Sequence, residues 1–396
     1  MSDYEEEYVS KSFNIKVWFK LKHFFLPYMK KMFGIVVFML LIAFFDVMMP
    51  LFQRYAVDSF ITSKTTEGLG RFVAVYASVL IIQSLIVIIF VRLAIVVEMR
   101  IGFDLREAIF KHLQKLSLSY YNTTPVGYIM SRVLSDTNKI GSMIAWGLVD
   151  VFWSVTYVTG VFLAMIALNP KLAIIVITIV PVMAVVTFYF QKKLLETNRK
   201  IRKINSKMTG EFNEGITGAR TTKTLVIEES NLTGFKEVTN LMESTSIKML
   251  KLNAIYIPII MFFSSILTAI VLSRGGYLAM NDLMLIGTLS AFLSYAIGIF
   301  EPIQQLARVF TEVISLQANI ERVTELLEKE PLIKDSDSVI EKYGDNINPK
   351  KENWEKIIGE IEFKNVTFKY PDGDEEVLKN FNLHIPAGTN VAIVGE

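Results

Sequence analysis

Six long apolar runs limit the folds open to this chain, at residues 33–52, 72–97, 146–168, 172–190, 257–274 and 283–304. A helix rises 1.5 Å per residue, so each run is long enough to cross a hydrocarbon core of about 30 Å. The chain is 52% hydrophobic and 20% charged, which agrees with a membrane protein and not with an ordinary soluble one. An even number of crossings returns the chain to the side on which it started. Lys11, Lys16, Lys20, Lys22, Lys30 and Lys31 precede the first run and place that side in the cytoplasm by the positive-inside rule. The opening MSDYEEEYVS is acidic and has no small-residue cleavage pattern, so it does not read as a secretory signal. Phe13, Val17, Trp18, Phe19, Leu21, Phe24 and Phe25 interleave with these lysines. They fit a helix lying in the membrane interface or one docked on a cytoplasmic domain.

The connections between the runs are unequal. Residues 53–71, 169–171 and 275–282 are short, whereas 98–145 and 191–256 are long. Arg100, Arg106, Lys111, Lys115, Arg132 and Lys139 lie in the first long connection, and Lys192, Lys193, Arg199, Lys200, Arg202, Lys203 and Lys207 open the second. Both therefore belong in the cytoplasm. Gly and Pro gather only near Pro125 to Gly127 and Gly215 to Gly218, so each connection reads as a long helix, a turn and a long returning helix.

Charge and metal chemistry are mostly excluded. Lys plus Arg number 41 against 39 Asp plus Glu, which gives no global attraction for nucleic acid. With no cysteine there is no disulfide or thiolate site, and His23, His112 and His384 are too scattered for a His-rich metal site. Inside the runs, Asp46 and Asp150 would be costly against lipid and should face the bundle interior, a partner or the outer aqueous boundary. Pro50, Pro181, Pro258 and Pro302 each delete a helical hydrogen bond, and Gly298 ahead of Pro302 predicts a bend in the sixth helix. Asp46, Gln83, Tyr157, Thr187, Ser264, Ser265, Thr268, Ser290, Ser294 and Tyr295 fit either a cavity for amphipathic cargo or helix packing. Of these, Asp46, Tyr157, Ser294 and Tyr295 are the cavity candidates carried forward.

After Pro302 a helical pattern runs through Leu306, Val309, Phe310, Val313, Leu316, Ile320 and Leu327 and ends at Pro331. Residues 331–358 read as an exposed linker. Beyond it, Phe363, Val366, Phe368 and Tyr370 nearly alternate with polar residues, and the slip at Lys364 and Asn365 predicts a bulged strand. Pro371, Asp372 and Gly373 should turn it into a second strand through Leu378, Phe381, Leu383 and Ile385. Val391, Ala392, Ile393 and Val394 read as a buried strand delivering Gly395 to its carboxyl end.

This last stretch resembles the opening of the nucleotide-binding domain of an ABC transporter. There a strand ending in an aromatic residue precedes a run like VLKNFNLHIPAGTNVAIVG and then the Walker A loop. The resemblance implies that Tyr370 stacks on adenine and that Gly395 is the first glycine of the loop. Upstream, the two long connections are similar to the intracellular loops of exporter-type members, which are tipped by short coupling helices. The first matches over 116–139 at Tyr121, Gly127, Ser131, Arg132 and Asp136, and the second over 211–235 at Glu214, Gly215, Gly218 and Phe235. By resemblance these tips carry movement between an ATP-driven domain and the membrane helices. Without it, Gly127 and Gly218 read as turn residues, and Arg132 and Asp136 as a solvated face.

The expected fold is thus a mainly α membrane protein: six long transmembrane helices, two long cytoplasmic helical loops, and the incomplete strand start of an α/β P-loop ATPase domain. The expected divisions are a cytoplasmic amphipathic segment at 1–32, an exporter transmembrane domain at 33–330, the linker at 331–358 and the incomplete domain at 359–396. By resemblance the chain is half of an ATP-driven exporter in the cell membrane, with both termini cytoplasmic. It would pair with an identical or related half and move a lipophilic small molecule, lipid or peptide. Complete, it would use ATP and Mg²⁺. The sequence stops before the Walker lysine, the magnesium ligands and the catalytic carboxylate, so residues 1–396 alone should be catalytically silent. The alternatives are a passive or regulatory membrane subunit, or a secondary transporter, although no inverted repeat is visible.

Overall fold

The computed structural model describes residues 14–370 and 375–394. Met1 to Phe13, the expected turn at Pro371, Asp372 and Gly373, and Gly395 with Glu396 lie outside the described residues. The chain divides into two compact units, Met1–Glu330 and Pro331–Glu396.

The first unit holds six helices long and apolar enough to cross a membrane: α1 Lys22–Thr62, α2 Leu69–Leu113, α3 Val126–Leu168, α4 Pro170–Thr217, α5 Glu228–Met280 and α6 Ile286–Glu328. With 53 residues, α5 extends to about 80 Å, well beyond a hydrocarbon core of about 30 Å. The surplus length lies in the two long connections. Between α2 and α3 the chain turns through a short helix, Leu118–Thr123. Between α4 and α5 it turns through another, Ala219–Leu225. The α3 to α4 connection is a single residue, Asn169, whose side chain accepts from Leu172 N at 3.2 Å while Pro170 takes the first helical position.

One helical stripe accounts for much of the packing. Phe90, Ala94, Val97, Ile101, Leu105, Ile109 and Leu113 of α2 recur every three or four residues and are all buried. They form one cluster with the first half of α1, the start of α3 and the end of α6. A second cluster joins the other half of α1, the rest of α3, and α4 and α5 to the start of α6. Asp58 ties the far end of α1 to α6, because its Oδ1 accepts from Gly287 N at 2.7 Å in the otherwise open first turn of α6.

The prolines act unequally. Helical structure runs unbroken through Pro50, Pro181 and Pro258. In α6 it is interrupted at Ile299, three residues before Pro302, at the predicted bend. The connection 98–145 departs from simple helices at two π-helical turns, Ser131–Asp136 and Met143–Gly147, within α3. Such turns insert a residue into the helical ladder and re-aim side chains. The short helix Ile15–Lys20 of the N-terminal segment packs on the end of α6. Val17 and Leu21 are buried with Leu316, Ile320 and Val323, Asn14 N donates to Gln317 Oε1 at 2.7 Å, and Lys20 pairs with Glu328 at 2.9 Å.

In the second unit, β1 Ile361–Lys369 and β2 Glu376–Ile385 form an antiparallel two-stranded sheet. The ladder slips between Phe363 and Val366, at the predicted bulge. There Asn365 takes φ 50° and its N–H donates to Asn382 Oδ1 at 2.9 Å. The segment before the sheet is more ordered than a bare linker. It contains a helix, Asp337–Tyr343, a 3₁₀ turn, Lys351–Asn353, and an ion pair from Lys342 to Glu355 at 2.7 Å. That hydrogen bond holds the Lys342 ammonium pKa above its usual range and the Glu355 carboxyl pKa below its own. The expected buried strand at Val391 to Val394 is corrected. These residues are outside any strand, and Ile393 and Val394 are 96% and 90% exposed. A buried parallel strand needs neighbours on its edges and faces, and the described residues supply none to this one.

Candidate functional site

The intramembrane polar groups converge on Asp46. Its Oδ1 accepts from Gln83 Nε2 of α2 and its Oδ2 from Trp153 Nε1 of α3, both at 2.8 Å, so the carboxylate faces the bundle and joins three helices. Trp153 stacks on Tyr157, one turn on, with ring centres 5.4 Å apart and planes 17° apart. The Tyr157 hydroxyl rests on α6 at Gly298, where an added Cβ would lie 2.6 Å from it. Tyr295 is fully buried and its hydroxyl donates to Val47 O at 2.6 Å. Val47 follows Asp46, whose backbone carbonyl is the one that Pro50 leaves without its helical N–H donor. Ser294 donates to Gln53 Oε1 at 3.0 Å, and Gln53 Nε2 donates to Ser290 Oγ at 2.8 Å. Asp150 accepts from Gln305 and lies 3.6 Å from Arg308. Thr187 is buried with its hydroxyl unbonded, and Thr268 bonds back to Ser264 O, as packing threonines do.

A second cluster lies at the π turn of α3. Arg132 and Asp136 are 3% and 1% exposed, so the reading of a solvated face fails. Arg322 of α6 grips Asp136 with a two-pronged pair, Nε to Oδ2 at 2.9 Å and Nη2 to Oδ1 at 2.8 Å. Arg132 lies over the Tyr128 ring and donates to Tyr128 O at 3.0 Å, and its Nη2 is buried without a hydrogen bond. Tyr121 donates to Leu113 O at 2.6 Å and closes the turn. Burial pushes the pKa values of Tyr120 and Tyr121 up, so both remain neutral hydroxyls at pH 7. Gly127 stands in open space in the short helix Val126–Met130.

At the other tip, Glu214 and Gly215 are exposed, and Gly218 N donates to Glu214 O at 2.7 Å. A Cβ on Gly218 would press on that carbonyl at 2.8 Å, a close approach that calls for glycine. Phe212 and Phe235 clasp α4 to α5 with ring centres 4.7 Å apart. Both tips expose large apolar side chains: Leu118 at 79%, Val126 at 71%, Ile216 at 74% and Val226 at 80%. Val226 also adopts φ 53°, a left-handed conformation uncommon for a β-branched residue. Tyr370 directly follows β1, exposed beside Phe368, and Gly395 lies outside the described residues.

Sequence reasoning missed Arg322, Asp58 and Glu98 as contact residues. Glu98 accepts from Trp146 Nε1 at 2.9 Å. Arg322 meets Asp136 across 186 positions and Asp58 meets Gly287 across 229, so no local spacing announces either contact.

The geometry defines a polytopic membrane protein of six overlong helices, joined to a unit that begins an open β-sheet. Residues 32–303 match the ABC transporter transmembrane region, and the chain belongs to that family. It is 26% identical over 392 residues to the uncharacterized ABC transporter ATP-binding protein YknV of Bacillus subtilis (strain 168), covering 98% of this chain and 63% of that protein. It is 26% identical over 380 residues to the putative multidrug export ATP-binding/permease protein YgaD of the same organism, covering 93% and 63%. Against the ATP-dependent lipid A-core flippase of Escherichia coli (strain K12) the figures are 25% over 296 residues, 75% and 48%. The chain therefore spans less than two thirds of the length of these relatives.

Proposed function

We propose that this chain is the membrane half of an ATP-driven exporter that works as a dimer and moves amphipathic or lipophilic cargo. One observation carries the reading. Helices far longer than a bilayer turn at two short tips with exposed apolar side chains, which suit docking on a partner domain. The names of the multidrug-export and lipid-flippase relatives support lipophilic cargo. Gly127, Arg132, Asp136, Glu214, Gly215 and Gly218 are assigned to the coupling tips. Tyr157 and Ser294 are assigned to the cargo cavity, with Asp46 and Tyr295 holding its wall from behind. The proposed divisions are 1–32, 33–330, 331–358 and 359–396, with both termini in the cytoplasm.

Tyr370 is the adenine platform, and Gly395 opens the phosphate loop of a complete nucleotide domain that uses ATP and Mg²⁺. Phosphate binding needs successive backbone N–H groups at a helix N-terminus and a lysine. Stacking on Tyr370 alone would contribute about 1 kcal/mol. The test compares purified residues 1–396 with a version continued through a complete nucleotide-binding domain. The longer protein should run as a two-chain species by native mass spectrometry, hydrolyse Mg²⁺-ATP and load inside-out vesicles with a lipophilic dye, while residues 1–396 release no phosphate. Vesicle loading that is indifferent to ATP would contradict the reading and favour a passive subunit.

A further inference from the structure

The stretch of α4 beyond its apolar run is far more basic than its counterpart in α2. Residues 191–207 hold Lys192, Lys193, Arg199, Lys200, Arg202, Lys203 and Lys207 against Glu196 alone, seven charges against one. In α2, Arg100, Arg106 and Lys111 are matched by Glu98, Asp104 and Glu107. Both stretches read as cytoplasmic, so the positive-inside rule does not account for the difference. At about 100° per residue, all seven but Arg202 fall in an arc of about 120°. Lys192, Lys193, Lys200, Lys203 and Lys207 are exposed along it, while Thr197 and Ile204 at its edge are buried. Lys192 and Lys200 pair with no acid among the described residues. The stripe starts just past Phe190 and continues to Lys207, about 22 Å along the helix. A lipid headgroup layer is only about 5–7 Å deep and covers Lys192 and Lys193 alone. The remainder fits an acidic partner that extends along the helix.

We propose that this stripe is the docking surface for the chain's own acidic opening, Asp3 to Glu7, which straps the lead-in of α1 to α4. Three observations agree on this occupant. Residues 1–13 carry Asp3, Glu5, Glu6 and Glu7 against Lys11 alone, so their charge complements the stripe. The chain before Asn14 leaves close to it. Arg199 Nη2 of the stripe donates to Ser315 Oγ of α6 at 3.0 Å, and two residues further along α6 Gln317 Oε1 accepts from Asn14 N at 2.7 Å. The length is also sufficient. Glu7 stands seven residues before Asn14, an extended reach of about 23–25 Å, and a helix with its side chains is only about 10–12 Å across. Each exposed pair contributes little alone, but several along one stripe add up and weaken together in salt.

The test uses residues 1–396 in lipid nanodiscs, where the absence of native cysteine lets Glu6→Cys and Lys200→Cys be joined by a short bis-maleimide. Cross-linking should give a product of single-chain mass, and its rate should fall about tenfold from low salt to 1 M salt. Reversing the remaining acids with Asp3→Lys, Glu5→Lys and Glu7→Lys should slow it by a similar factor. Reversing the stripe as well, with Lys192→Glu, Lys203→Glu and Lys207→Glu, should restore most of the rate, which also shows that the variants are folded. Phosphatidylcholine and phosphatidylglycerol nanodiscs should give rates within about twofold of each other, as the stripe mostly lies beyond the headgroups. Equal rates before and after reversal of the acids would overturn the assignment. A product of two-chain mass would move the contact to a second copy, and loss of the product in phosphatidylglycerol would give the stripe to lipid; either result overturns it.

Discussion

Asp136→Ala should be among the most damaging single substitutions in the membrane unit, lowering stability by about 3–5 kcal/mol. The carboxylate is 1% exposed and takes both prongs of Arg322, with the buried Arg132 four residues away on the same π turn. Removing it leaves two guanidinium groups near one another without the anion that offsets their desolvation. In a detergent thermal scan at fixed rate, the apparent Tm should fall by roughly 10 °C. Asp136→Asn should fall less, because it keeps hydrogen-bond acceptance. The paired change Asp136→Leu with Arg322→Leu should cost less than the sum of the singles, since neither charge is then stranded. A parental Tm for Asp136→Ala would show that the pair contributes nothing and that α6 is held to α3 by apolar packing alone.

Tyr295→Ala should cost about 3–5 kcal/mol, through the cavity it opens among packed helices. Tyr295 is among the largest fully buried side chains and packs with Val47, Val161, Leu267 and Ile303 in one cluster. Tyr295→Phe keeps the ring and loses only the hydrogen bond to Val47 O, at about 1 kcal/mol. The two substitutions separate a wall-bearing role from direct contact with cargo. Tyr295→Phe should leave binding of a lipophilic dye within about twofold of the parent while Tyr295→Ala loses thermal stability. A folded, stable Tyr295→Ala protein with altered binding would return Tyr295 to the cavity surface.

The fold was legible wherever one physical rule dominates. Apolar length located six helices because a single continuous segment can satisfy its own backbone hydrogen bonds in lipid only as a helix. The bulge at Asn365 and the interruption before Pro302 were legible from a broken alternation and from a missing N–H. Burial was harder to read. Arg132 and Asp136 look like solvated residues on a charged connection, and only Arg322, 186 positions after Asp136, makes their burial tolerable. The serines and tyrosines of the spans gave no preference between packing and cargo, because helices in lipid use the same small hydroxyls for both. Tyr295 and Tyr157 separate only once the first is seen bonded to Val47 and the second left unbonded over Gly298. The strand expected at Val391 to Val394 came from apolar content alone, which records a need for burial without supplying the neighbours that provide it.

Single-cysteine labelling tests the central claim most directly, because the chain lacks cysteine and every label is then unambiguous. The claim is that the short helices Leu118–Thr123 and Ala219–Leu225 are cytoplasmic tips placed to meet an ATP-driven domain, with the short α1 to α2 and α5 to α6 turns outside. In intact cells, an impermeant maleimide should label Lys64→Cys and Asn281→Cys and leave Thr124→Cys and Thr222→Cys unlabelled until the membrane is permeabilised. Labelling of Thr124→Cys or Thr222→Cys from outside, with Lys64→Cys protected, would invert the topology and contradict the account.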